Sequence, residues 1–224
     1  MRNDAFVAVN KPAGQTVIPA RGEAASLSLV KRVEAALGQR LWVVHRIDRE
    51  TSGVVLFALH ADSHRDLNRA FEERRVEKQY VAWSAGLLDP GAGRIDLPLH
   101  AARRGKSRPA LPGETAAQPA VTDYATERVF RQVGATVSRL RLLPRTGRHH
   151  QIRVHLRAKG APILFDALYG RAVASAFAAA PCGRLALHAS RLRVDLANGA
   201  CEVEAPMAPD LVALEAWLQD WEAA

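Results

Sequence analysis

The strongest apolar run in this chain, Val54-Val55-Leu56-Phe57-Ala58-Leu59, is only six residues long. A run of that length reads as a buried strand. The alanine-rich stretch from Ala172 to Ala180 is the other run of note. Neither approaches the roughly 20 apolar residues that a membrane helix needs. The N-terminus, Met1-Arg2-Asn3-Asp4-Ala5-Phe6, lacks the apolar centre of a secretory signal. A chain of 224 residues suits one domain, or two small lobes sharing a core. Cys182 and Cys201 are its two cysteines and stand in no metal-ligand spacing. A disulfide scaffold and a structural zinc site are therefore not expected, and a reducing cytoplasm is.

Hydrophobic residues make up 48% and charged residues 24%, the balance of a folded globular protein and not of a disordered one. The formal net charge is +8. Such a surplus suits a polyanionic partner, most often nucleic acid, ahead of the alternative of a surface tuned for solubility.

Phe6 to Val9 reads as a first strand, followed by the turn-prone Lys11-Pro12-Ala13-Gly14. Ser26 suits a helix N-cap, Leu27, Val30, Val33 and Leu37 recur at helical spacing, and Gly38 suits the stop. Leu41–Val44 and Val54–Leu59 read as strands, with the polar stretch His45–Gly53 mounted between them. A loop held between two apolar strands is a common place for chemistry. Asp62 or Ser63 can cap the next helix, whose Leu67, Ala70 and Phe71 face the core. Gln79–Ser84 is strand-like, and His100–Pro119 reads as a long exposed basic loop. Val121–Val129 and Val137–Leu142 alternate like strands, and His150–Lys159 reads as a helix ending at Gly160. Leu185–His188, Leu192–Leu196 and Ala200–Glu204 read as strands, and a last helix begins near Pro209-Asp210 with Leu211, Leu214, Leu218 and Trp221 as its buried stripe. Many strands and few helices in mixed order imply an α+β fold on a mixed, mostly antiparallel central sheet with flanking helices.

Within His45-Arg46-Ile47-Asp48-Arg49-Glu50-Thr51-Ser52-Gly53, acidic and basic groups alternate tightly. Thr51 and Ser52 can bond neighbouring backbone and hold a tight turn. A carboxylate mounted there among arginines can serve as a nucleophile or an electrostatic anchor. The same residues would also make a solvated surface turn. His149, His150 and His155 raise the question of metal, as do His60 and His64, but neither group carries the glutamate of a zinc-protease motif. On a helix, His150, Arg153 and Arg157 share one face and Ile152 and Leu156 another, which suits phosphate contact or plain solvation. No G-x-S-x-G elbow, Walker loop or dinucleotide glycine fingerprint occurs.

Taken together, these segments resemble the RluA-type family of RNA pseudouridine synthases. Ala8-Val9-Asn10-Lys11-Pro12-Ala13-Gly14, with Val17 and Pro19, resembles the first family motif. His45-Arg46-Ile47-Asp48 with Thr51-Ser52-Gly53 resembles the catalytic loop. Glu77-Lys78-Gln79-Tyr80-Val81-Ala82 resembles the tyrosine motif, with Tyr80 placed 32 residues after Asp48, an interval familiar in the family. Thr146 to His155 resembles the third motif; Pro162-Ile163-Leu164, Asp166, Leu168-Tyr169-Gly170 and then Arg184 to Ala189 complete the order. Six motifs in order cover nearly the whole chain. Ile47 stands where leucine is frequent, and Phe165 where glycine is frequent, so the backbone there is expected to differ slightly. No room is left before Phe6 for the small N-terminal RNA-binding module of many relatives, so residues 1–224 are expected to form a single catalytic domain.

The resemblance implies the pseudouridine synthase fold, with a catalytic cleft, and isomerisation of specific uridines in rRNA or tRNA to pseudouridine. The bond to uracil nitrogen breaks, the base turns, and carbon 5 joins the ribose. Neither redox change nor energy input is needed, so no cofactor is expected. It implies Asp48 as the essential carboxylate, acting on ribose carbon 1′, on uracil carbon 6 or on a ribose proton. It implies Tyr80 stacked on the uracil and relaying a proton, and Arg153 paired with Asp48. Arg46 would enter the gap left by the extruded nucleotide. His45, Thr51, Arg148 and His150 are further substrate-binding candidates, and Arg103, Arg104, Lys106 and Arg108 are candidates for phosphate contact. RNA is the expected partner, with no membrane, no obligate protein partner and a monomer as the default. A non-catalytic RNA-binding factor on the same fold would be expected to lack Asp48, Tyr80 or Arg153, and all three are present.

Overall fold

The computed structural model describes residues 1–101, 105–170, 175–196 and 199–222. The chain divides into two compact units: Met1–Lys78 with His188–Ala208, and Gln79–Leu187 with Pro209–Ala224.

The first unit is built around the apolar run. Strand β1 (Phe6–Lys11) lies antiparallel to β3 (Ser52–Ala58), from Phe6 opposite Ala58 to Lys11 opposite Gly53. The short β2 (Trp42–Val43) also pairs with β3, opposite Ala58 and Phe57. The N-terminal end of β3 runs parallel to β10 (Leu187–Leu196) through Ser52 and Ala189's partner Gly53, and β10 pairs antiparallel with β11 (Gly199–Glu204). Every residue of β3 is buried. Val54, Leu56 and Ala58 join Phe6, Ala8, Leu67, Ala70, Leu192 and Val194 in one core, and Val55 and Phe57 are buried as well. Strand β3 is apolar without alternation because both of its faces are covered. Helix α1 (Leu29–Leu37) begins at Ser28 and not at Ser26; a single 3-10 turn at Ala25–Leu27 takes up the intervening residues. It stops where expected, at Gly38 with a left-handed φ of 65°. Helix α2 (Ala61–Glu72) is capped by His60, whose ring nitrogen accepts from Ser63 N–H while the Ser63 hydroxyl reaches back to His60. Asp62, an expected cap, instead pairs with Arg65 on the surface.

The second unit holds an antiparallel meander. Most of β4 (Val76–Ala85) belongs to it, pairing with β9 (Ala135–Pro144) from Tyr80 opposite Leu142 to Ala85 opposite Val137. Strand β9 pairs with β8 (Val121–Gln132), which carries a bulge between Thr126 and Arg128 and pairs in turn with β5 (Ala92–Asp96). Trp83, Phe130, Ile95, Leu140, Leu142, Leu156 and Ile163 are fully buried around it. Helix α3 spans Gln151–Ala158, and α4 (Pro209–Gln219) buries Leu211, Leu214 and Leu218 as expected. The architecture is α+β on a mixed, mostly antiparallel sheet.

Three expectations are corrected. The segment His100–Pro119 is not wholly loop: β6 (Leu99–Ala101) and β7 (Ser107–Pro109) form a hairpin, with Leu99 and Ser107 buried. Proline, glycine and arginine hid three-residue strands whose pairing is set by contacts outside the segment, such as Ser107 N–H to the Tyr169 hydroxyl at 2.7 Å. Leu185–His188 and Leu192–Leu196 are not separate strands, because the polar Ser190 and Arg191 continue β10: Arg191 lies opposite Glu204 and its guanidinium reaches Glu77 and Glu202. Helix α3 does not show a basic solvent face opposite an apolar one, since Gln151 to Leu156 are all buried and the polar members each have internal partners.

Candidate active site

In the first unit, Asp48 rides on the loop between β2 and β3, and that loop is tied down on both sides. Lys11 is fully buried at the end of β1. Its ammonium donates to the carbonyls of Pro12 at 2.8 Å, Gln15 at 2.8 Å and Arg49 at 2.9 Å. Gly14 N–H also donates to Arg49 C=O at 2.9 Å, and Arg49 Nε returns to Gly14 C=O at 3.0 Å. The Arg49 guanidinium is paired with Glu23. On the other side, Thr51 N–H donates to Asp48 C=O at 3.1 Å, closing a turn over the carboxylate-bearing residue. The buried Ser52 hydroxyl shares a 2.9 Å hydrogen bond with His188 Nδ1. Gly53, at φ 119°, lets β3 and β10 approach: a Cβ there would lie 2.1 Å from Ala189 O. Only glycine fits that position.

Between these anchors Ile47 is buried, Asp48 is half-buried and Arg46 is exposed. The Thr51 hydroxyl is buried without a hydrogen-bond partner among the described residues. His45 is held inward: its ring stacks on Phe71 with centroids 5.0 Å apart, and Nε2 accepts from Leu56 N–H at 2.9 Å. Burial, aided by the positive charge of Lys78, pushes its pKa down to about 3. A neutral ring with an occupied acceptor is a structural part of the loop's base.

In the second unit, Tyr80 is half-buried on β4. Arg153, in the first turn of α3, is buried and forks onto Asp166: Nε to Oδ2 at 2.8 Å and Nη2 to Oδ1 at 2.7 Å. Asp166 Oδ1 also accepts from Leu168 N–H at 2.9 Å and Tyr169 N–H at 3.0 Å. Burial disfavours the Asp166 charge, but the Arg153 hydrogen bonds and charge and the two N–H groups outweigh it, so its carboxyl sits below the usual range. The side-on fork directs Nη1 of Arg153 away from Asp166. Phe165, where glycine was expected, has φ 59°, a conformation that glycine favours. Its ring meets that of Phe177 edge-on at 6.3 Å.

The start of α3 is stapled to β8 by Gln151, which receives bonds from Thr146 at 2.6 Å and Arg148 N–H at 3.0 Å and donates to Val121 C=O and Thr122. Arg148 is exposed, its Nε on Pro119 C=O at 3.1 Å. His150 is the N-cap residue, at φ 56°, and shares a 2.9 Å bond with the Tyr169 hydroxyl. His155 is a core residue between Thr122 and Leu97 C=O, its pKa lowered chiefly by burial. Among the described residues no three His, Cys, Asp or Glu side chains gather as metal ligands. In the β6–β7 hairpin, Lys106 is exposed, while Arg108 is engaged by Glu114, whose carboxyl its hydrogen bonds hold at about 2. Arg103 and Arg104 lie outside the described residues.

The structure thus groups His45, Arg46, Asp48 and Thr51 on one braced loop, and Arg148, His150 and Arg153 at one end of α3. Three residues that carry these arrangements were quoted in motifs without a role: Lys11, Asp166 and Tyr169. Nothing in their spacing singles them out, because each acts on a partner chosen by the fold.

A model of the RNA pseudouridylate synthase family matches residues 5–158. The chain is 39% identical over 193 residues to the dual-specificity RNA pseudouridine synthase RluA of Escherichia coli (strain K12), covering 86% of this chain and 84% of that one. It is 36% identical over 190 residues to the protein of the same name from Pasteurella multocida (strain Pm70), covering 85% and 83%. Among solved structures, human RNA pseudouridylate synthase domain containing 4 superposes with a TM-score of 0.79 at 24% identity, over 98% of this chain and 92% of that one. Human RNA pseudouridylate synthase domain containing 1 does so with a TM-score of 0.76 at 26% identity, over 100% and 94%.

Proposed function

The chain belongs to the RNA pseudouridylate synthase family, as an RluA-type isomerase that converts uridine in RNA to pseudouridine, and from that premise we propose that Asp48 is the carboxylate that carries the reaction. The observation behind this is the bracing of its loop. Lys11 and Gly14 grip Arg49 on one side of the turn, and Ser52 with Gly53 anchors the other to β10. A carboxylate that must act on one ribose or base atom gains from being placed before the RNA arrives. Asp48 supplies the anion for the bond change, whether at ribose carbon 1′, at uracil carbon 6 or at a ribose proton.

Tyr80 stacks on the uracil and relays a proton at carbon 5. Arg153 keeps Asp48 ionised; what supports this is its buried, singly oriented guanidinium. Arg46, exposed two residues before Asp48, fills the place of the extruded nucleotide, whose unstacking costs a few kcal/mol. The partnerless Thr51 hydroxyl offers the RNA a hydrogen bond, and His45 shapes the loop beneath. Arg148, His150 and Lys106, with Arg103 and Arg104, meet the phosphate backbone. The target lies in rRNA or tRNA, and residues 1–224 serve one catalytic function as a cytoplasmic monomer without an obligate protein partner. The family match, which takes in sequence from both compact units, supports the single catalytic function. Among the described residues no helix is long and apolar enough to cross a membrane.

The experiment is pseudouridine mapping of total RNA from cells with the gene, without it, and complemented with Asp48→Asn. A site should vanish with the gene and stay absent with the variant, which keeps shape and loses the anion. A restored site would remove Asp48 from its role.

A further inference from the structure

Tyr169 belongs to a segment the family motifs include but to which no part of the reaction has been assigned. In the structure its polar groups and its ring all meet the second unit, and three of them meet α3 or its N-cap. The backbone N–H donates to Asp166, and the carbonyl accepts from Arg157 Nη1 at 2.8 Å. The ring lies beneath the Arg153 guanidinium, with Cζ 5.1 Å from its centroid. The hydroxyl accepts from Ser107 N–H, on strand β7, at 2.7 Å, and shares the 2.9 Å bond with His150 Nδ1. An amide N–H can only donate, so the phenol's own proton is available to the imidazole.

We propose that Tyr169 is a positioning residue with two separable jobs: its hydroxyl seats the β6–β7 hairpin for RNA, and its ring orients Arg153. The inference rests on the reading that Arg153 serves the isomerisation and that the hairpin meets RNA phosphates.

The hydroxyl's job follows from where Ser107 stands. Ser107 is buried, while Lys106, its immediate neighbour, is exposed. A β-hairpin of two three-residue strands has little stability of its own. It needs outside attachment, and the 2.7 Å bond to Tyr169 provides one. A second joins the Ser107 hydroxyl to His149 Nδ1 at 3.2 Å, and His149 stacks on His150 with centroids 3.6 Å apart. The phenol oxygen therefore ties the start of β7, next to Lys106, to the start of α3. Fixing this strand before binding reduces the ordering cost that RNA would otherwise meet.

The ring's job follows from the shape of a guanidinium. Asp166 fixes two nitrogens in the plane of the fork. Rotation of the side chain out of that plane is opposed by a flat surface against its face, and the Tyr169 ring supplies one. Asp166 and Tyr169 thus hold Arg153 from its edge and from its face. Asp166 in turn bonds Tyr169's own N–H, so ring and carboxylate move together.

The test compares Tyr169→Phe with Tyr169→Leu in the full chain. RNA binding and the saturating single-turnover rate are measured on a transcript carrying the mapped site. Phe keeps the flat face and loses the hydroxyl. It should raise the RNA Kd about tenfold, as the Ser107 N–H and His150 lose their partner, and this should be the larger part of its defect. Leu loses both, so it should in addition lower the saturating rate by about tenfold or more below the Phe variant. A Phe variant with the wild-type Kd would overturn the hydroxyl's role. Equal saturating rates in Phe and Leu would overturn the ring's. If Leu does not fold by circular dichroism, the Phe variant still decides: a loss confined to its saturating rate would overturn the proposal. Arg153→Lys separates the underlying reading from the inference. It keeps the charge and loses the fork, so a wild-type rate would refute the role of Arg153 itself, whereas a slowed Arg153→Lys beside normal Tyr169 variants would refute the inference alone.

Discussion

Lys11 Nζ donates to the carbonyl of Arg49 at 2.9 Å, across 38 residues of sequence, and so fastens the end of β1 to the residue that follows Asp48. The ammonium has three protons, and two more carbonyls, of Pro12 and Gln15, take bonds from it. A buried lysine is tolerated here because the backbone around it supplies oxygen and no apolar wall.

Replacing this lysine by methionine keeps the stem and removes the donors. Three carbonyls would then lose a charge-assisted partner. The expected loss of stability is about 3 kcal/mol or more. Urea unfolding measures it, and the single-turnover rate should fall with it because the Asp48 loop loses its anchor. A Lys11→Met protein as stable as the parent would show that water or another donor replaces the ammonium.

His45 connects the loop to pH. Its folded pKa is about 3, well below the ordinary 6.5, because burial disfavours the cation and Lys78 repels it. The unfolded chain therefore binds an extra proton between these values. The stability His45 contributes is present above about pH 6.5 and is lost progressively as pH falls toward 3. In His45→Gln, which keeps an acceptor for Leu56 N–H, the slope of unfolding free energy between pH 6.5 and 4 should be shallower than in the parent. Parallel slopes would show that the ring is not buried neutral.

Tyr80→Phe separates stacking from proton transfer. The flat ring remains, so RNA affinity should stay near normal. The hydroxyl disappears, and with it a proton relay worth on the order of 10²–10⁴-fold in rate. Tritium release from 5-tritiated uridine in RNA, in single turnover, reads the rate. Full activity would mean that the tyrosine acts through its face alone.

Phosphate contact should make binding salt-dependent. Each contact to a single strand contributes a slope of roughly −0.7 in log affinity against log salt. Removing Arg103, Arg104 and Lys106 together should make the slope shallower by roughly 2. Filter binding across a salt series measures this, and an unchanged slope would move the contact elsewhere. Arg108 is left out of the set because Glu114 already holds its guanidinium.

What could be read along the chain was what depends on near neighbours. Val54–Ala58 had to be a buried strand, because a continuous apolar run has no polar face to offer water. Gly38 had to end α1, because the left-handed turn costs glycine nothing. Leu211, Leu214 and Leu218 had to share a face, because spacings of three and four bring side chains to one side of a helix. Asp48, Tyr80 and Arg153 were legible as a motif order, which located the candidate chemistry without showing what holds it. The tertiary structure alone decided the partners. Arg153 read as one member of a basic face; Asp166, 13 residues on, made it a buried, oriented cation. His45–Gly53 read as a polar loop; Lys11 and His188 made it a braced one. His100–Pro119 read as coil; the Tyr169 hydroxyl and the Leu99–Gln118 bonds gave part of it a place as a hairpin. The division has one physical cause. Strand burial, helix faces and glycine turns are settled by energies acting over a few residues, whereas a hydrogen bond or ion pair between distant side chains forms only where the packing of the core brings them within about 3 Å.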